Sequence, residues 1–442
     1  MSFVKNSLSV LGTRISTIFL SLISSIIVTR ILGPFNKGAL GILVIIPYLL
    51  VNFGSLGIGN ANLYFVGKKK YPIEKIVSNS LSLTLILGTI LILIAYLIAL
   101  FYKQTIFRGI PFTYTHLVFI LIPFLLFQKF TQYTFLGKER ITTRNIIILL
   151  PAIFNFIAII CFVVILRLNL LGVLIASLLS NIFAFILCFH FTSKISKIKL
   201  NFDYKLFIES VKFGIIPFLA LVVMNLNFRA DIFLIKYYLD NTAVGLYSLA
   251  ASISEEIWLI PQSVGLVLFS RISNIEEREA NALTPLTCRL SLSISFLCGL
   301  FLFLTANILI PFVYGEAFRP SVKPLLILLP GTVLMTIFLI LHSDLTGRGK
   351  AIITLKIFTI AFFANIIMNI FLIPTYGING AALASSASYS LGALVLAITF
   401  SKENSISLKD ILLPKKFDFT TYIFPLVLKI KTKIVYNTPK LL

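Results

Sequence analysis

The stretch LGPFNKG at residues 32–38 has a counterpart in LDNTAVG at residues 239–245, and in both a leucine and a glycine six residues apart join two apolar runs. The same relationship links GVLIASLLS at 172–180 to GAALASSAS at 380–388. The two offsets are 207 and 208 residues, which is what duplication of a unit of fixed architecture produces. A copy of this length is too long for a solenoid repeat, so each half is predicted to be a bundle of its own.

The composition is that of an integral membrane protein rather than of a soluble domain. Of the 442 residues, 58% are hydrophobic and 12% are charged, and the mean hydropathy is +1.01. The runs 77–101, 168–193 and 290–315 contain no Asp, Glu, Lys or Arg and exceed the ~20 residues that cross a hydrocarbon core. Backbone groups in lipid must bond within their own segment, so these runs are predicted to be helices. Two homologous apolar bundles indicate a membrane transporter.

The apolar runs divide into twelve predicted spans, separated by short polar connectors that often contain Gly or Pro. They form an all-α fold of two six-helix repeats at 1–200 and 201–400, followed by a basic cytoplasmic tail at 401–442. No small-residue cleavage site follows the first apolar run, which is therefore interpreted as a retained span. The spans are placed at 8–32, 39–62, 77–101, 115–136, 145–166, 170–192, 213–236, 243–268, 287–311, 321–343, 351–373 and 379–400.

The positions of Lys and Arg predict the orientation of these spans. One side of the membrane carries 26 of them in connectors and termini, and the other carries 8. By the positive-inside rule this places both termini in the cytoplasm of a protein of the cell membrane. Because each half has six spans, the halves are predicted to be parallel repeats with a pathway in the cleft between them. Topology accounts for the net charge of +22, so nucleic acid is not expected as a partner.

The sequence contains no pattern typical of a catalytic centre. It has no glycine-rich phosphate loop, nucleophile elbow or His/Cys cluster, so we expect neither an enzyme nor a bound cofactor or metal. The four cysteines lie in or beside apolar helices without the spacing of metal ligands. Because no segment is left for a nucleotide-binding domain, transport is expected to be driven by an ion gradient or by the gradient of the substrate.

Charged residues inside the spans are the candidates for lining the pathway, because a charge at the membrane centre costs at least ~2.5–3.5 kcal/mol on insertion scales. Lysine and arginine near a cytoplasmic helix end can instead extend to the membrane surface, which applies to Arg14, Lys129 and Lys356. Glu255, near the midplane of the eighth span, must pair, become protonated or face water. The predicted substrate-binding residues are Arg14, Arg30, Lys129, Arg229, Asp231, Glu255 and Lys356.

The sign of these charges narrows the class of substrate. Glu74 and Glu139, the only acidic residues before residue 200, both lie in predicted connectors. A cavity in the first half that is lined by Arg14 and Lys129 would favour an anion and disfavour a cationic drug. Phosphate or pyrophosphate suits such a cavity, because arginine binds it with two parallel hydrogen bonds.

Five short stretches, in their order and spacing, resemble the multidrug/oligosaccharidyl-lipid/polysaccharide exporter superfamily, and within it the polysaccharide-repeat (O-antigen or capsule) flippases. The resemblance covers about residues 5–400. It implies two six-helix lobes in a V, a MATE-like transporter that works by alternating access, and a central cationic cavity. The stretches are TRILGP at 29–34 with Gly38 and Gly41, RADIFL at 229–234, VGLYSLA at 244–250, FVYGEAF at 312–318 and YGINGAA at 376–382.

Members of that family move polyprenyl-pyrophosphate-linked oligosaccharides from the cytoplasmic to the outer leaflet for surface polysaccharide biosynthesis. The resemblance therefore implies a lipid-linked oligosaccharide substrate, contact with membrane lipids and partnership with a polysaccharide polymerase or assembly protein. The alternative is a cation-coupled multidrug or small-molecule exporter of the same superfamily, with Asp231 and Glu255 as coupling acids. Drug exporters of this kind use acidic residues in the first lobe, and the predicted spans of that lobe contain none in this chain. A peptidoglycan-precursor flippase, which should have 14 helices, and a non-transporting scaffold are further alternatives.

Overall fold

The computed structural model describes residues 2–415, together with their side chains except those of residues 2–11, 216, 217, 220 and 221. No β-strand occurs in this part of the chain, which is helical almost throughout. Helices satisfy every backbone donor and acceptor locally, as an apolar environment demands. The prediction of an all-α fold is confirmed.

Fifteen α-helices are present between residues 2 and 415. A π-helical segment, Ile160–Ile165, extends α6, and 3-10 segments follow α9 at Glu256–Trp258 and precede α12 at Glu316–Ser321. The helices are α1 (Ser2–Gly54), α2 (Ile58–Gly67), α3 (Ile73–Phe101), α4 (Phe112–Phe119), α5 (Leu121–Gly137), α6 (Ile141–Ile159), α7 (Asn169–Ser193), α8 (Tyr204–Tyr238), α9 (Asn241–Glu255), α10 (Leu259–Ile272), α11 (Glu277–Tyr314), α12 (Val322–Gly347), α13 (Ala351–Tyr376), α14 (Ile378–Asn404) and α15 (Leu408–Leu412).

Ten stretches within the described residues are long and apolar enough to cross a membrane. One of them, Gly12–Gly54, contains most of the first two predicted spans, with a non-helical break at Gly33 between them. The seventh predicted span, 213–236, falls within α8. The chain is therefore a multi-pass helical membrane protein, and the number of twelve spans stays a prediction.

Four predicted spans differ from a single regular α-helix. The fourth, 115–136, is divided between α4 and α5, and the fifth, 145–166, ends in the π-helical segment. The second, 39–62, is not one helix: it is interrupted between Gly54 and Ile58, where Gly57 has a φ of 75° that its missing Cβ permits. The eighth, 243–268, contains the 3-10 segment Glu256–Trp258. Pro261 follows that segment at the start of α10, and its missing N–H removes one of the hydrogen bonds that would continue α9.

The packing of the helices divides the chain into two compact units. A transporter lobe is defined by which helices move together, so the predicted lobes 1–200 and 201–400 stay predictions. Every residue of the candidate pocket described below belongs to the first unit. The first unit comprises Met1–Leu249, Asn307–Val322 and Asn369–Ala381, and the second comprises Ala250–Ala306, Lys323–Met368 and Ala382–Leu442.

The predicted tail, 401–442, is described as far as residue 415. Its first part packs on the second unit, because Ile411 is fully buried and Arg289 donates a hydrogen bond to the backbone carbonyl of Asp410. The remainder of the predicted tail lies outside the described residues.

The beginning of α8 is held against the α2–α3 connector by ion pairs. Lys70 Nζ lies 2.8 Å from Glu209 Oε2, and the Tyr71 hydroxyl donates to the same oxygen at 2.8 Å. Lys75 Nζ lies 2.6 Å from Asp203 Oδ2, while Asp203 Oδ1 accepts from the Leu206 amide and caps α8. Hydrogen bonds from Lys75 and from this amide hold the pKa of Asp203 below its ordinary value. These contacts fix where α8 enters the bundle.

Further along, α8 passes directly over the break between α1 and α2. A Cβ placed on Gly57 would overlap the backbone of Gly214, and a Cβ on Gly214 would overlap the backbone of Gly57. Only two glycines allow the chains to approach this closely. The contact brings the next turns of α8 beside α1, α2 and α5, where a polar pocket lies.

Candidate functional site

The pocket, hereafter the polar pocket, has a volume of about 230 Å³ and lies within the first unit. Side chains from α1, α2, α5 and α8 line it, so it contains residues from both sides of the predicted boundary at residue 200. Its polar side chains are Tyr48, Asn52, Ser55, Asn60, Lys129, Tyr133 and Asn225.

Lys129 is the charged residue of this pocket. It lies on α5 in one of the stretches able to cross a membrane, and its Nζ donates to Asn52 Oδ1 at 2.8 Å. No carboxylate among the described residues lies within ion-pair distance of it. A cationic side chain is therefore held in the membrane-spanning part of the protein by a neutral amide.

Two further hydrogen bonds between neutral groups lie in or beside the pocket. The Tyr48 hydroxyl donates to Asn225 Oδ1 at 3.0 Å and so joins α1 to α8. One residue before Lys129, Gln128 Nε2 donates to the backbone carbonyl of Asn181 at 3.2 Å, which joins α5 to α7. These bonds hold the walls of the pocket with uncharged donors and acceptors, the groups that also bind sugar hydroxyls.

A second cavity adjoins the first and is called here the apolar chamber. Its volume is about 450 Å³, and it shares Tyr48, Asn52 and Lys129 with the polar pocket. Most of its wall is aliphatic, and the lining residues come from α1, α4, α5, α6 and α7. The ammonium group of Lys129 thus lies at the junction of a polar and an apolar space.

The other predicted site residues do not line either of these two cavities. Arg14 is half-buried on α1. Arg30 is exposed, with its Nη1 3.5 Å from the carbonyl oxygen of Phe312, and Lys356 is exposed on α13. Glu255 is half-buried at the last residue of α9. Their part in substrate binding stays a prediction.

Arg229 and Asp231 lie on α8. Arg229 is half-buried, and its Nη1 donates to the carbonyl oxygen of Phe228 at 3.2 Å. Asp231 is 1% exposed, accepts a short hydrogen bond from the hydroxyl of the buried Tyr247, and also accepts from the Ile232 amide at 2.8 Å. The carboxyl group therefore joins α8 to α9 inside the first unit.

Several polar residues of the pocket were not singled out from the sequence, among them Tyr48 and Asn52. Tyr48 and Asn52 are one helical turn apart in an otherwise apolar part of α1, and this spacing places both on the same face of the helix. That pairing was the available signal. No group of three His, Cys, Asp or Glu side chains in the described part of the chain is arranged to hold a metal ion.

The sequence matches the model of one known protein family. The model of the family described as "Polysaccharide biosynthesis protein" matches residues 27–323, which is more than half of the sequence. The chain belongs to this family. The match includes α2 to α11, together with Lys129 and the whole polar pocket.

Two curated proteins resemble this chain over part of their length. A protein of Haloferax volcanii that carries the name low-salt glycan biosynthesis flippase Agl15 is 25% identical over 176 residues, 38% of this chain and 36% of the relative. A protein of Shigella flexneri that carries the name O-antigen transporter is 25% identical over 213 residues, 47% of this chain and 50% of the relative. The chain thus spans half or less of these relatives in the matched regions. The resemblance to polysaccharide flippases is confirmed.

Solved structures show the same fold at low sequence identity. The lipid II flippase MurJ, in an inward closed conformation, superimposes with a TM-score of 0.74 at 18% identity, over 97% of this chain and 93% of that one. A multidrug-resistance MATE family transporter, in an inward-facing conformation, gives 0.71 at 16% identity, over 89% and 95% of the two chains. The prediction of a MATE-like fold is confirmed.

Proposed function

We propose that this protein is a flippase that moves polyprenyl-pyrophosphate-linked oligosaccharide units from the cytoplasmic to the outer leaflet by alternating access. The observation that carries the proposal is the environment of Lys129, a cation within a membrane-spanning helix. Among the described residues, its ammonium group has only the neutral Asn52 as a hydrogen-bond partner. A bound anion removes the cost of holding that charge away from water. A pyrophosphate supplies the anion, and the uncharged donors and acceptors around it suit the adjoining sugar.

The family and the names of its partial relatives support the same class of substrate. A cavity of about 230 Å³ holds a pyrophosphate rather than a whole oligosaccharide, so the sugars follow through a pathway that opens during transport. Arg14, Arg30, Arg229, Asp231, Glu255 and Lys356 are proposed to contribute to that pathway. The protein works by binding and conformational change and needs no catalytic step or cofactor.

We also infer the membrane orientation of the protein and the class of its partner. Both termini are placed in the cytoplasm and the spans in the cell membrane, on the distribution of Lys and Arg. A polysaccharide polymerase or another assembly protein is the expected partner on the outer side, because the translocated unit must be polymerised there.

Reconstituted vesicles test this function directly. A fluorescent polyprenyl-pyrophosphate oligosaccharide in one leaflet should become accessible to a membrane-impermeant quencher when the wild-type protein is present. Lys129→Arg should keep activity, because the positive charge is kept, and Lys129→Glu should abolish it by repelling the pyrophosphate. Translocation by Lys129→Glu at the wild-type rate would contradict the proposal. Export of a cationic dye without any lipid translocation would instead support the exporter alternative.

A further inference from the structure

The apolar chamber lies directly behind the ammonium group of Lys129. Val44 from α1, Leu121 and Leu125 from α5, and Leu174 from α7 are part of its wall. The chamber adjoins the polar pocket at Tyr48, Asn52 and Lys129, so a ligand bound at Lys129 reaches both spaces.

The two cavities suit chemically different parts of one molecule. Besides Lys129 and Ser55, five side chains with a hydroxyl or amide group line the polar pocket. These groups can bind sugars. In the chamber six of the sixteen lining residues have polar side chains, against seven of twelve in the polar pocket, and Asn181 already bonds to Gln128 and to the Ser177 carbonyl. A sugar in the chamber would leave hydroxyl groups without partners, which is costly, whereas an apolar chain would not.

We propose that the apolar chamber binds the first isoprene units of the carrier lipid, those next to the pyrophosphate. This inference rests on the proposed function, because in a polyprenyl-pyrophosphate carrier the group attached to the pyrophosphate is an isoprene. With the pyrophosphate at Lys129, the sugar is attached at one end and the prenyl chain at the other, which matches the polar and the apolar cavity that share this residue. The distal part of the chain remains in the bilayer.

The arrangement makes the end of the lipid nearest the pyrophosphate the part that is recognised. Once the chamber of about 450 Å³ is filled, additional isoprene units contact bilayer rather than protein and add little to affinity. The protein would then distinguish a prenyl pyrophosphate from a free pyrophosphate or a nucleotide sugar, neither of which has an apolar group to place there.

The test compares two soluble probes, farnesyl pyrophosphate and inorganic pyrophosphate, on the full protein in lipid nanodiscs by titration calorimetry. Wild-type protein should bind farnesyl pyrophosphate at least about tenfold more tightly. Leu125→Trp fills the chamber and should remove that advantage, while inorganic pyrophosphate still binds within about twofold of wild type. Lys129→Met should weaken the binding of both probes, because both depend on the charge.

Two further variants separate this effect from misfolding and from partition into lipid. Val44→Trp fills the chamber from α1, where Val44 is 48% exposed and a larger side chain is tolerated, and should act as Leu125→Trp does. Leu97→Trp introduces the same side chain on α3 at a position that is 52% exposed and outside both cavities, and should bind both probes as wild type does.

The outcomes distinguish failure of this inference from failure of the proposed function. If farnesyl and inorganic pyrophosphate bind wild type equally, the isoprene site is overturned, while a loss of both on Lys129→Met still supports the flippase. If the chamber-filling variants keep the farnesyl advantage, the chamber holds something else, such as a bilayer acyl chain, and the inference is overturned as well. If neither probe responds to Lys129→Met, the anion site itself is wrong.

Discussion

Gly38 of α1 and Gly245 of α9 pack backbone against backbone. A Cβ on Gly38 would overlap the carbonyl group of Asn241 and lie 2.8 Å from the Gly245 nitrogen. A Cβ on Gly245 would overlap the carbonyl group of Pro34 and lie 3.0 Å from the Gly38 nitrogen. The contacts are reciprocal, and each overlapped carbonyl belongs to the residue four positions before the partner glycine. Because the two glycines are also counterparts in the internal repeat, a local two-fold relationship holds at this crossing.

Replacement of either glycine by alanine should force α1 and α9 apart. Overpacking of this kind costs about 1–3 kcal/mol. Gly38→Ala and Gly245→Ala should each lower the midpoint of thermal unfolding of the purified protein. The double variant should be destabilised by less than the sum of the two, because the first methyl group has already separated the helices.

Gly12→Ala is the matched control on the same helix. No atom lies within 4 Å of a Cβ at Gly12, and alanine favours a helix more than glycine does, so this variant should unfold at or slightly above the wild-type midpoint. Strict additivity of Gly38→Ala and Gly245→Ala would contradict a shared contact.

An internal counter-ion for Lys129 should block transport without loss of the fold. Asn52 Oδ1 is 2.8 Å from Lys129 Nζ, so Asn52→Asp would place a carboxylate beside the ammonium and compete with the substrate anion. We expect a higher unfolding midpoint and a translocation rate at least about tenfold lower, with the loss arising from weaker substrate binding. Vesicle translocation and thermal unfolding measured on the same preparation check both effects.

Asn60→Asp provides the comparison, because Asn60 lines the same pocket but does not bond to Lys129. It should reduce translocation less than Asn52→Asp and should not raise the unfolding midpoint. Equal effects of the two substitutions would indicate that only the total charge of the pocket matters, and that the Lys129–Asn52 contact has no special role.

The parts of the fold that could be predicted are those set by local chemistry. The break at Gly33 before Pro34 and the long apolar helices follow from residues that are adjacent in sequence. The break between α1 and α2 was not predicted, although Gly54, Ser55 and Gly57 are residue types common in turns. It depends on the close approach of Gly57 to Gly214, which are 157 residues apart in the chain.

The candidate site, like the fold, could be predicted only in part. Lys129 was identified because a charge in an apolar helix is costly wherever its partner lies. Its partner Asn52 could not be identified, because the bond joins two helices and asparagine alone in a span indicates no particular neighbour. Arg348 is one of the 26 Lys and Arg residues that were assigned to the cytoplasmic side. Its side chain is buried beside Asp344. The separation of four residues on α12 was the overlooked signal.

Tyr247 should be needed to hold Asp231. The Tyr247 hydroxyl donates to the buried carboxyl group, so Tyr247→Phe removes a donor while the acceptor stays buried. The expected cost is about 1–3 kcal/mol in the free energy of unfolding. Tyr247→Phe combined with Asp231→Leu should recover part of that loss, because neither polar group then remains. Stability unchanged in Tyr247→Phe would contradict this account.

The contact between α8 and the α2–α3 connector should make stability depend on pH. Hydrogen bonds from Lys70 and Tyr71 hold the pKa of Glu209 below its ordinary value. A lowered pKa in the folded state contributes stability above the unfolded pKa, and that contribution is lost as pH falls through the folded pKa. Glu209→Gln should therefore lower the unfolding midpoint at neutral pH and match wild type in strong acid.

At the alkaline end the sign is reversed. The hydrogen bond to Glu209 raises the pKa of Lys70, so its contribution is present below the ordinary lysine pKa and is lost as pH rises through the raised value. Glu139→Gln, at an exposed position without an ion pair among the described residues, should show a constant small difference from wild type across this range. A Glu209→Gln difference that does not change with pH would contradict the prediction.

Two arginine–carboxylate pairs of the same length differ in burial and in the number of further hydrogen bonds. Arg348 Nε lies 2.7 Å from Asp344 Oδ1, and Arg319 Nε lies 2.7 Å from Glu316 Oε2. In the first pair the side chains are 9% and 0% exposed, and in the second they are 59% and 71% exposed. Asp344 also accepts from the Thr284 hydroxyl at 2.5 Å, so the buried pair belongs to a bonded cluster in the second unit.

Removal of one arginine should therefore have very different costs at the two positions. Arg348→Met leaves the buried Asp344 without its counter-ion and should cost about 3–5 kcal/mol. Arg319→Met should barely change the unfolding midpoint, because water already solvates both groups of that pair. Arg348→Met combined with Asp344→Leu should recover much of the loss, since no buried charge then remains unpaired. Similar unfolding midpoints for Arg348→Met and Arg319→Met would show that the cluster around Asp344 is hydrated, because only access of water would make the two pairs equivalent.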